Sequence, residues 1–369
     1  MSSARQTIRL PEPLDMRLGG QLAGVELAYE TWGELNARRD NALVIFTGLS
    51  PDAHAASSEA NPAPGWWEEM IGPGKPIDTD RYHVICFNSL GSCFGSTGPA
   101  SLNPATGRPW RLDFPMLTVE DIATSAHAAL RAMGITRPRA LVGPSLGGMT
   151  ALAYALLYPK EARELVLISS AAQALPFAIA IRSLQRECIR DDPRWKDGYY
   201  AEGEGPVQGM RLARKIGVMS YRSAEEWKQR FGRDRVPAQR RSTEPFGIEF
   251  EIESYLEAHA EKFVGSFDAN CYLYLSHAMD LFDAAEHGDG SLEKALGSIQ
   301  VERALVIGVV TDFLFPPEQQ REMADLLRRG GVDVTHRPLD SLQGHDSFLV
   351  DIKRFGTALR SFLQPEKHG

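Results

Sequence analysis

The stretch ALVGPSLGGMTALAYALLYP, residues 140–159, predicts a buried β-strand that runs directly into a helix of small and apolar residues. At the junction, Gly143-Pro144-Ser145-Leu146-Gly147 fits the pattern G-x-S-x-G. The pattern alone is weak, but its position is informative, because small neighbours let a strand and a helix approach closely and hold a nucleophilic serine in a strained turn. The alternative is a serine that only caps the helix N-terminus.

The composition is that of an ordinary soluble protein and excludes several classes of function. Of the 369 residues, 43% are hydrophobic and 24% are charged, and the net charge is −8. This charge predicts no nucleic-acid partner, and no apolar stretch reaches the roughly 20 residues that span a membrane. The N-terminus does not resemble a secretory signal, and the four cysteines form no Cys-x-x-Cys pair. We therefore expect a cytoplasmic protein with reduced thiols, no bound metal and no membrane contact.

Apolar, β-rich runs alternate with helical patterns along most of the chain, which predicts an α/β fold with a mostly parallel sheet between helices. Near-continuous Val, Ile and Leu in these runs indicates strands that are buried on both faces. The predicted strands are 42–48, 82–91, 139–145, 164–172, 303–312 and 333–340. The predicted helices are about 119–134, 147–158, 317–330 and 347–363.

The alternation stops after Ala172, and a charged segment with helical periodicity follows until strand patterning resumes at 303. We interpret this segment as a helical insertion between two strands of one sheet. The predicted organisation is a core formed by residues 1–173 and 296–369, with a helical lid formed by residues 174–295.

A serine nucleophile needs a base and an orienting acid, and in folds of this kind they follow it in the order Asp or Glu, then His. Asp312 comes at a predicted strand end, before the prolines that start the next helix. His345 follows the last predicted strand and precedes a helix. The alternatives are a helix-capping aspartate and a capping or surface histidine. Together with Ser145, these two residues predict a Ser-His-Asp triad.

Two backbone amides are predicted to stabilise the negative charge on an attacked carbonyl oxygen. One is the amide of Leu146, at the helix N-terminus directly after the serine. The other is the amide of Leu49, in the loop after the strand at 42–48. For Leu49 the alternative is an ordinary turn between a strand and a helix.

Beyond the triad, the long string NSLGSCFGSTGPASLNPATGRPWRLDFP, residues 88–115, resembles the homoserine O-acyltransferase family of α/β-hydrolase-fold enzymes. GPSLGGMTAL, FDANCYLYLSHAMD, DFLFPPEQQ and GHDSFLVD match the same family, so the resemblance covers about residues 20–362. It implies the α/β-hydrolase fold and acyl transfer from an acyl-CoA to an amino-acid hydroxyl, through an acyl-enzyme on Ser145. It also implies a homodimer formed through the lid helices, and no cofactor besides the acyl-CoA co-substrate.

The resemblance further implies how the acceptor amino acid is bound. Arg214 matches an arginine that holds the acceptor's carboxylate, and Asp346 matches an acidic residue near its ammonium group. This pair also suits a zwitterion chemically, because a guanidinium binds a carboxylate in a bidentate manner. The alternatives are a solvated lid arginine and an aspartate that stabilises a helix start.

Two departures from the family pattern predict the substrates. The loop GLSPDAHAASS carries Pro51 where relatives that act on homoserine have glycine, so Ser50, Pro51, Asp52 and Ala53 are expected to set acceptor specificity. Arg182 stands in the lid where acetyl-transferring relatives have an uncharged residue, and a buried succinyl carboxylate needs such a partner. These changes resemble the branch that transfers succinyl to L-serine. A surface role for Arg182, homoserine as acceptor with either acyl group, and plain ester hydrolysis remain alternatives.

Overall fold

The computed structural model describes residues 4–201, 203–241 and 243–364. Its centre is one eight-stranded sheet. The strands are β1 Gln6–Arg9, β2 Glu26–Trp32, β3 Ala42–Phe46, β4 His83–Phe87, β5 Ala140–Pro144, β6 Glu164–Ile168, β7 Arg303–Val309 and β8 Asp333–Leu339. Their order in the sheet is β1-β2-β4-β3-β5-β6-β7-β8. Two short ribbons pair Leu14–Asp15 with Gln21–Leu22 and Ile71–Gly72 with Ile77–Asp78.

The predicted mostly parallel sheet is confirmed, and its parallel part runs from β4 to β8. The two N-terminal strands were not predicted; β1 pairs with β2 and β2 with β4 in antiparallel fashion. The predicted strands are longer than the observed ones, because their last residues lie in the loops that carry the functional groups. At the sheet edge, β8 contains Pro338, which an edge strand tolerates because its missing N–H interrupts no central ladder.

The sheet separates two apolar layers, because alternate residues of each central strand point to opposite faces. The helices are α1 Val119–Ala132, α2 Leu146–Leu157, α3 Pro176–Arg190, α4 Val207–Tyr221, α5 Ala224–Phe231, α6 Glu251–Phe263, α7 Ala269–Leu281, α8 Leu292–Gly297, α9 Pro317–Arg329, α10 Ser347–Val350 and α11 Ile352–Leu363. On one face of the sheet, Val44, Leu141 and Leu165 pack with α1, α2 and α9. On the other face, Ile45, Val142 and Val166 pack with α11.

Helices α3–α8 lie between β6 and β7, in the segment interpreted above as the lid. The predicted boundary at 295/296 falls inside α8, which packs against α9. The single helix predicted at 347–363 is two helices, because Asp351 interrupts it and caps α11. In the described part of the chain, none of the helices has the length and apolar character needed to cross a membrane.

Candidate active site

Ser145 occupies a strained turn between β5 and α2. Its φ of 54° and ψ of −122° lie in a region that non-glycine residues rarely adopt. The flanking glycines allow this turn by close approach: a Cβ on Gly143 would lie 2.0 Å from the carbonyl oxygen of Gly147. A Cβ on Gly147 would lie 2.1 Å from the carbonyl oxygen of Phe46. The G-x-S-x-G spacing is therefore a steric requirement of this junction.

The backbone of Ser145 is fixed by the end of β6. Its N–H donates to the carbonyl oxygen of Ile168 at 2.9 Å. The hydroxyl of Ser170 donates to the carbonyl oxygen of Ser145, also at 2.9 Å. These two contacts hold the strained residue in place and so fix the direction in which its side chain leaves the backbone.

Ser145, His345 and Asp312 form one buried hydrogen-bonded chain. The Ser145 hydroxyl donates to Nε2 of His345 at 2.9 Å, and Nδ1–H of His345 donates to Oδ2 of Asp312 at 2.8 Å. Asp312 is oriented in turn, because its Oδ1 accepts the amides of Leu314 and Phe315 at 2.9 and 3.1 Å. A carboxylate only accepts, so this arrangement places the proton on Nδ1 and leaves Nε2 free to take the serine proton.

The loop that carries His345 is held by the lid as well as by the core. Gly344 has a φ of 65°, and a Cβ there would lie about 3 Å from the backbone at the end of α4. The amide of Gly344 donates to the Thr311 hydroxyl at 3.1 Å, and the Ser223 hydroxyl donates to the carbonyl oxygen of Leu342. The position of the His345 imidazole therefore depends on how the end of α4 packs, which no sequence motif indicated.

Electrostatic interactions with neighbouring carboxylates raise the pKa of His345. Burial of the imidazole opposes its protonation, but the Asp312 carboxylate, with a smaller contribution from Asp346, outweighs this and raises the pKa of His345 above its usual 6.5. An imidazole with a raised pKa is a better proton acceptor during nucleophilic attack.

We expect kcat/KM to fall on the acid side with an apparent pKa above 6.5, because the free enzyme needs neutral His345 as its base. Activity is then complete above that pKa and lost as the pH falls through it. The measurement is acyl transfer between pH 5.5 and 9 at subsaturating substrate. A plateau that extends below pH 6 would contradict the raised pKa.

A narrow cavity of ≈ 80 Å³ opens onto Ser145 and His345. The predicted residues outside the triad that line it are the oxyanion residue Leu49 and the substrate-binding or specificity residues Ser50, Pro51, Arg182 and Asp346. Its other side is formed by lid side chains that sequence analysis missed, among them Gln185, Tyr221 and Tyr272. Asp52 and Ala53 do not line the cavity; Asp52 instead caps the loop by accepting the amide of His54 at 2.9 Å.

Two amides are available beside the serine for a developing oxyanion. Leu146 is the first residue of α2, and Leu49 follows β3 and lines the cavity. Among the described residues, neither amide donates to a protein acceptor. The structure thus brings the two predicted donors to the end of the sheet that carries Ser145.

Arg182 is buried at the cavity wall rather than on the surface. Its side chain is 8% exposed, and its Nε donates to Oδ1 of Asp280 at 2.5 Å. Arg186 binds the other oxygen of the same carboxylate at 2.7 Å. The Nη2 atom of Arg182 is buried and lacks a hydrogen-bond partner in the described structure. An unpaired buried donor is costly, and the side chain that carries this one lines the cavity.

Of the two residues predicted to bind the acceptor amino acid, one lines the cavity and the other does not. Asp346 lines the cavity, and its Oδ2 lies 3.4 Å from Nε of Arg222, a residue that sequence analysis missed. Burial raises the pKa of the Asp346 carboxyl, and the Arg222 guanidinium partly offsets this. Arg214 does not line the cavity; its guanidinium packs 4.5 Å from the ring of Phe263 and 5.9 Å from that of Tyr221.

In the ranges that the structure describes, there is no cluster of three or more His, Cys, Asp or Glu side chains arranged to hold a metal ion. What the residues supply is a nucleophile, a base, an orienting acid and two amides, and this set is suited to acyl transfer or acyl hydrolysis.

Comparison with known proteins narrows the choice between acyl transfer and acyl hydrolysis. A family model described as alpha/beta hydrolase fold matches residues 41–349. A serine O-succinyltransferase from Litchfieldella anticariensis is 61% identical over 363 residues, which cover 98% of this chain and 99% of that protein. An L-serine/homoserine O-acetyltransferase from Streptomyces lavendulae is 58% identical over 98% of this chain and 97% of its own. The crystal structure of homoserine O-acetyltransferase from Bacillus anthracis has a TM-score of 0.89 at 30% identity, covering 98% of this chain and 97% of that one.

Proposed function

This chain belongs to the α/β-hydrolase fold family and, within it, to the serine and homoserine O-acyltransferases, and we propose that it transfers a succinyl group from succinyl-CoA to the hydroxyl of L-serine. The observation that carries the choice of acyl group is the buried, unpaired Nη2 of Arg182 at the cavity. The product, O-succinyl-L-serine, is an activated precursor suited to cysteine synthesis.

The first half of the reaction forms an acyl-enzyme. The Ser145 oxygen attacks the thioester carbonyl while Nε2 of His345 takes the hydroxyl proton, and Asp312 stabilises the imidazolium that forms. The amides of Leu49 and Leu146 hold the oxyanion. The C–S bond then breaks, and His345 returns its proton to the departing CoA sulfur.

The second half uses the same groups in reverse. His345 takes the proton of the acceptor serine's hydroxyl, whose oxygen attacks the acyl-enzyme carbonyl, and the proton goes back to the Ser145 oxygen as its ester bond breaks. Asp346 faces the acceptor's ammonium group at the cavity, whereas Arg214 does not line the cavity and is assigned no contact with the acceptor's carboxylate. Because a thioester is already activated, the protein groups and the acyl-CoA are sufficient, and we propose no further cofactor.

Arg182 supports succinyl as the donor group on energetic grounds. A succinyl chain ends in a carboxylate, and burying it without a counter-charge costs several kcal/mol. The free Nη2 of Arg182 offers that counter-charge, while Asp280 holds the rest of the guanidinium in place. An acetyl group has no carboxylate and makes no use of this atom.

The test is a matrix of serine and homoserine against succinyl-CoA and acetyl-CoA, scored as kcat/KM for the wild type and for Arg182→Gln. The wild type is expected to favour serine with succinyl-CoA. In Arg182→Gln, the preference for succinyl over acetyl should fall about 10- to 100-fold, because one charge-assisted hydrogen bond is lost.

Arg186→Gln is the matched control. It also removes one arginine from Asp280, but Arg186 does not line the cavity. Its donor preference should match that of the wild type even if the lid is slightly weakened. Equal losses with both donors in Arg182→Gln would show that Arg182 only supports the lid.

A second candidate is the same reaction with an acetyl donor, favoured by the name of the Streptomyces relative. It predicts that acetyl-CoA is the better donor in the wild type and that Arg182→Gln leaves its kcat/KM unchanged. The same matrix separates the two, because only a succinyl donor depends on the Arg182 guanidinium.

We also propose that the protein is a homodimer formed through the lid and works in the cytoplasm, where its thiols stay reduced. Large apolar side chains spaced seven residues apart are more than half exposed on α3 and α4; they are Phe177, Leu184, Leu212 and Met219. Residues seven apart share one face of a helix, so each pair forms a stripe suited to a subunit contact.

We expect Leu212→Asp combined with Met219→Asp to convert the dimer into a monomer of 40.7 kDa, because two carboxylates would be buried in the contact. Light scattering coupled to gel filtration measures the mass. Leu18→Asp, at a similarly exposed leucine outside the lid, is the control and should remain dimeric. A wild-type mass of 40.7 kDa would refute the dimer.

A further inference from the structure

A second, larger cleft of ≈ 940 Å³ lies between the 88–115 segment and the lid, away from Ser145. Its wall includes Cys93, Phe94, Tyr200, Phe267 and Asp268. The acyl-transfer steps described above use none of these residues. Among them, the thiol of Cys93 stands out, because a second thiol is in contact with it.

Cys93 and Cys271 meet at the N-terminus of α7. The Cys271 thiol donates a hydrogen bond to the Cys93 sulfur, which also accepts the amide of Asp268 at 3.4 Å. Asp268 caps α7, since its Oδ1 accepts the amide of Cys271 at 3.0 Å. Arg111 lies 3.3 Å from the other carboxylate oxygen and offsets its negative charge. The Cys93 sulfur therefore receives two donors at the positive end of a 13-residue helix.

The two thiols differ in access. Cys93 is partly exposed and lines the cleft, whereas Cys271 is fully buried behind it. A small oxidant that enters the cleft reaches the Cys93 sulfur first and finds the second sulfur already in contact. A disulfide, with its sulfurs about 2 Å apart, would join these two residues directly.

We propose that Cys93 and Cys271 form a peroxide-sensitive thiol pair, in which Cys93 is oxidised first and Cys271 closes a reversible disulfide. The Cys93 thiolate attacks hydrogen peroxide: an S–O bond forms, the O–O bond breaks and hydroxide leaves. The Cys271 thiol then loses its proton and attacks the sulfenic acid: the S–S bond forms, the S–O bond breaks and water leaves. Two thiols are oxidised by two electrons and one peroxide is reduced to two waters.

The charges on the two sulfurs agree with this order of events. The hydrogen bond from Cys271 and the amide of Asp268 lower the pKa of Cys93, against the effect of burial. Burial raises the pKa of Cys271. Cys93 is thus the thiol of the pair that ionises more readily, and the thiolate is the form that attacks peroxide, whereas Cys271 loses its proton less readily.

Oxidation of the pair is coupled to the active site through the backbone, because the residue that follows Cys271 lies at the cavity. Cys271 is followed by Tyr272, which lines the cavity at Ser145 and whose phenol is hydrogen-bonded to that of Tyr221. A disulfide shifts the first turn of α7 and with it the Tyr272 side chain. Displacements of about 1 Å near a reacting centre lower rates up to 10²-fold, so we expect a loss of about tenfold or more in kcat/KM.

The test treats the intact wild-type protein with hydrogen peroxide and measures mass, cross-linked peptides and acyl transfer. We expect a loss of about 2 Da, one Cys93–Cys271 peptide, lower activity, and recovery of both with dithiothreitol. In Cys271→Ser the sulfenic acid of Cys93 should persist and react with dimedone. Cys188→Ser removes a partly exposed thiol on α3 and should behave as the wild type.

The mass measurement tests the thiol pair and does not depend on the activity. Only the activity measurement rests on the proposed function, so the failure of one proposal can be distinguished from the failure of the other. Absence of the cross-link in wild-type protein, or over-oxidation of Cys93 without it, overturns the proposal. A cross-link that leaves acyl transfer unchanged overturns its regulatory effect.

Discussion

Ser145→Ala is expected to lower acyl transfer about 10⁴-fold or more, because the variant keeps the cavity but has no oxygen to form the acyl-enzyme. The hydroxyl makes one hydrogen bond, to His345, and the backbone contacts of Ser145 to Ile168 and Ser170 do not involve it. The strained φ of 54° also remains in alanine. The free energy of unfolding should therefore change little while catalysis is lost.

The decisive measurement for this variant is made without an acceptor. Wild-type protein mixed with succinyl-CoA alone should release CoA once per active site and gain the mass of one succinyl group on the peptide that contains Ser145. The variant should do neither. Ser125→Ala, at a buried serine of α1 whose hydroxyl bonds a backbone carbonyl, should behave as the wild type. Turnover without an adduct would instead indicate direct transfer from CoA to the acceptor.

The strained turn at Ser145 and the Ser145–His345–Asp312 triad were predictable because their determinants are local in the sequence. Glycine is required around Ser145 because a side chain there would clash with atoms a few residues away or at the end of the adjacent strand. The sequence pattern of small residues reflects this requirement. Asp312 follows the buried strand β7 and His345 follows the edge strand β8, and parallel strands bring their carboxyl ends to one edge of the sheet. Strand order and residue order were therefore sufficient to place the triad.

The lid side of the cavity was not predictable in the same way. Tyr221 and Tyr272 belong to different lid helices, and Arg222 reaches Asp346 only because the end of α4 packs on Gly344. Such approaches depend on how helices of similar amphipathic pattern settle against each other, and periodicity does not specify this. Even Arg182, whose charge indicated a ligand carboxylate, needed the structure to show that it is buried and incompletely paired.

Asp312→Asn is expected to reduce kcat/KM about 10⁴-fold without disturbing the loop that carries the residue. Asparagine retains an oxygen for the amides of Leu314 and Phe315, which Oδ1 of Asp312 now accepts. Facing His345, however, it presents an NH₂ group in place of Oδ2, and this group needs an acceptor. The imidazole then carries its proton on Nε2, where it can no longer accept the proton of Ser145.

The matched control is Asp78→Asn, which removes the same charge from an aspartate whose Oδ1 also accepts two backbone amides, those of Gly74 and Asp80. It should keep wild-type kcat/KM. In Asp312→Asn, the residual activity should also have its acid limb at lower pH, because the interaction that most raises the pKa of His345 is gone. A general loss of folding would lower activity in both variants and leave the acid limb in place. A loss of control over the His345 tautomer lowers activity only in Asp312→Asn and moves the acid limb of its pH profile. The two measurements therefore separate orientation of the base from simple stabilisation of the loop.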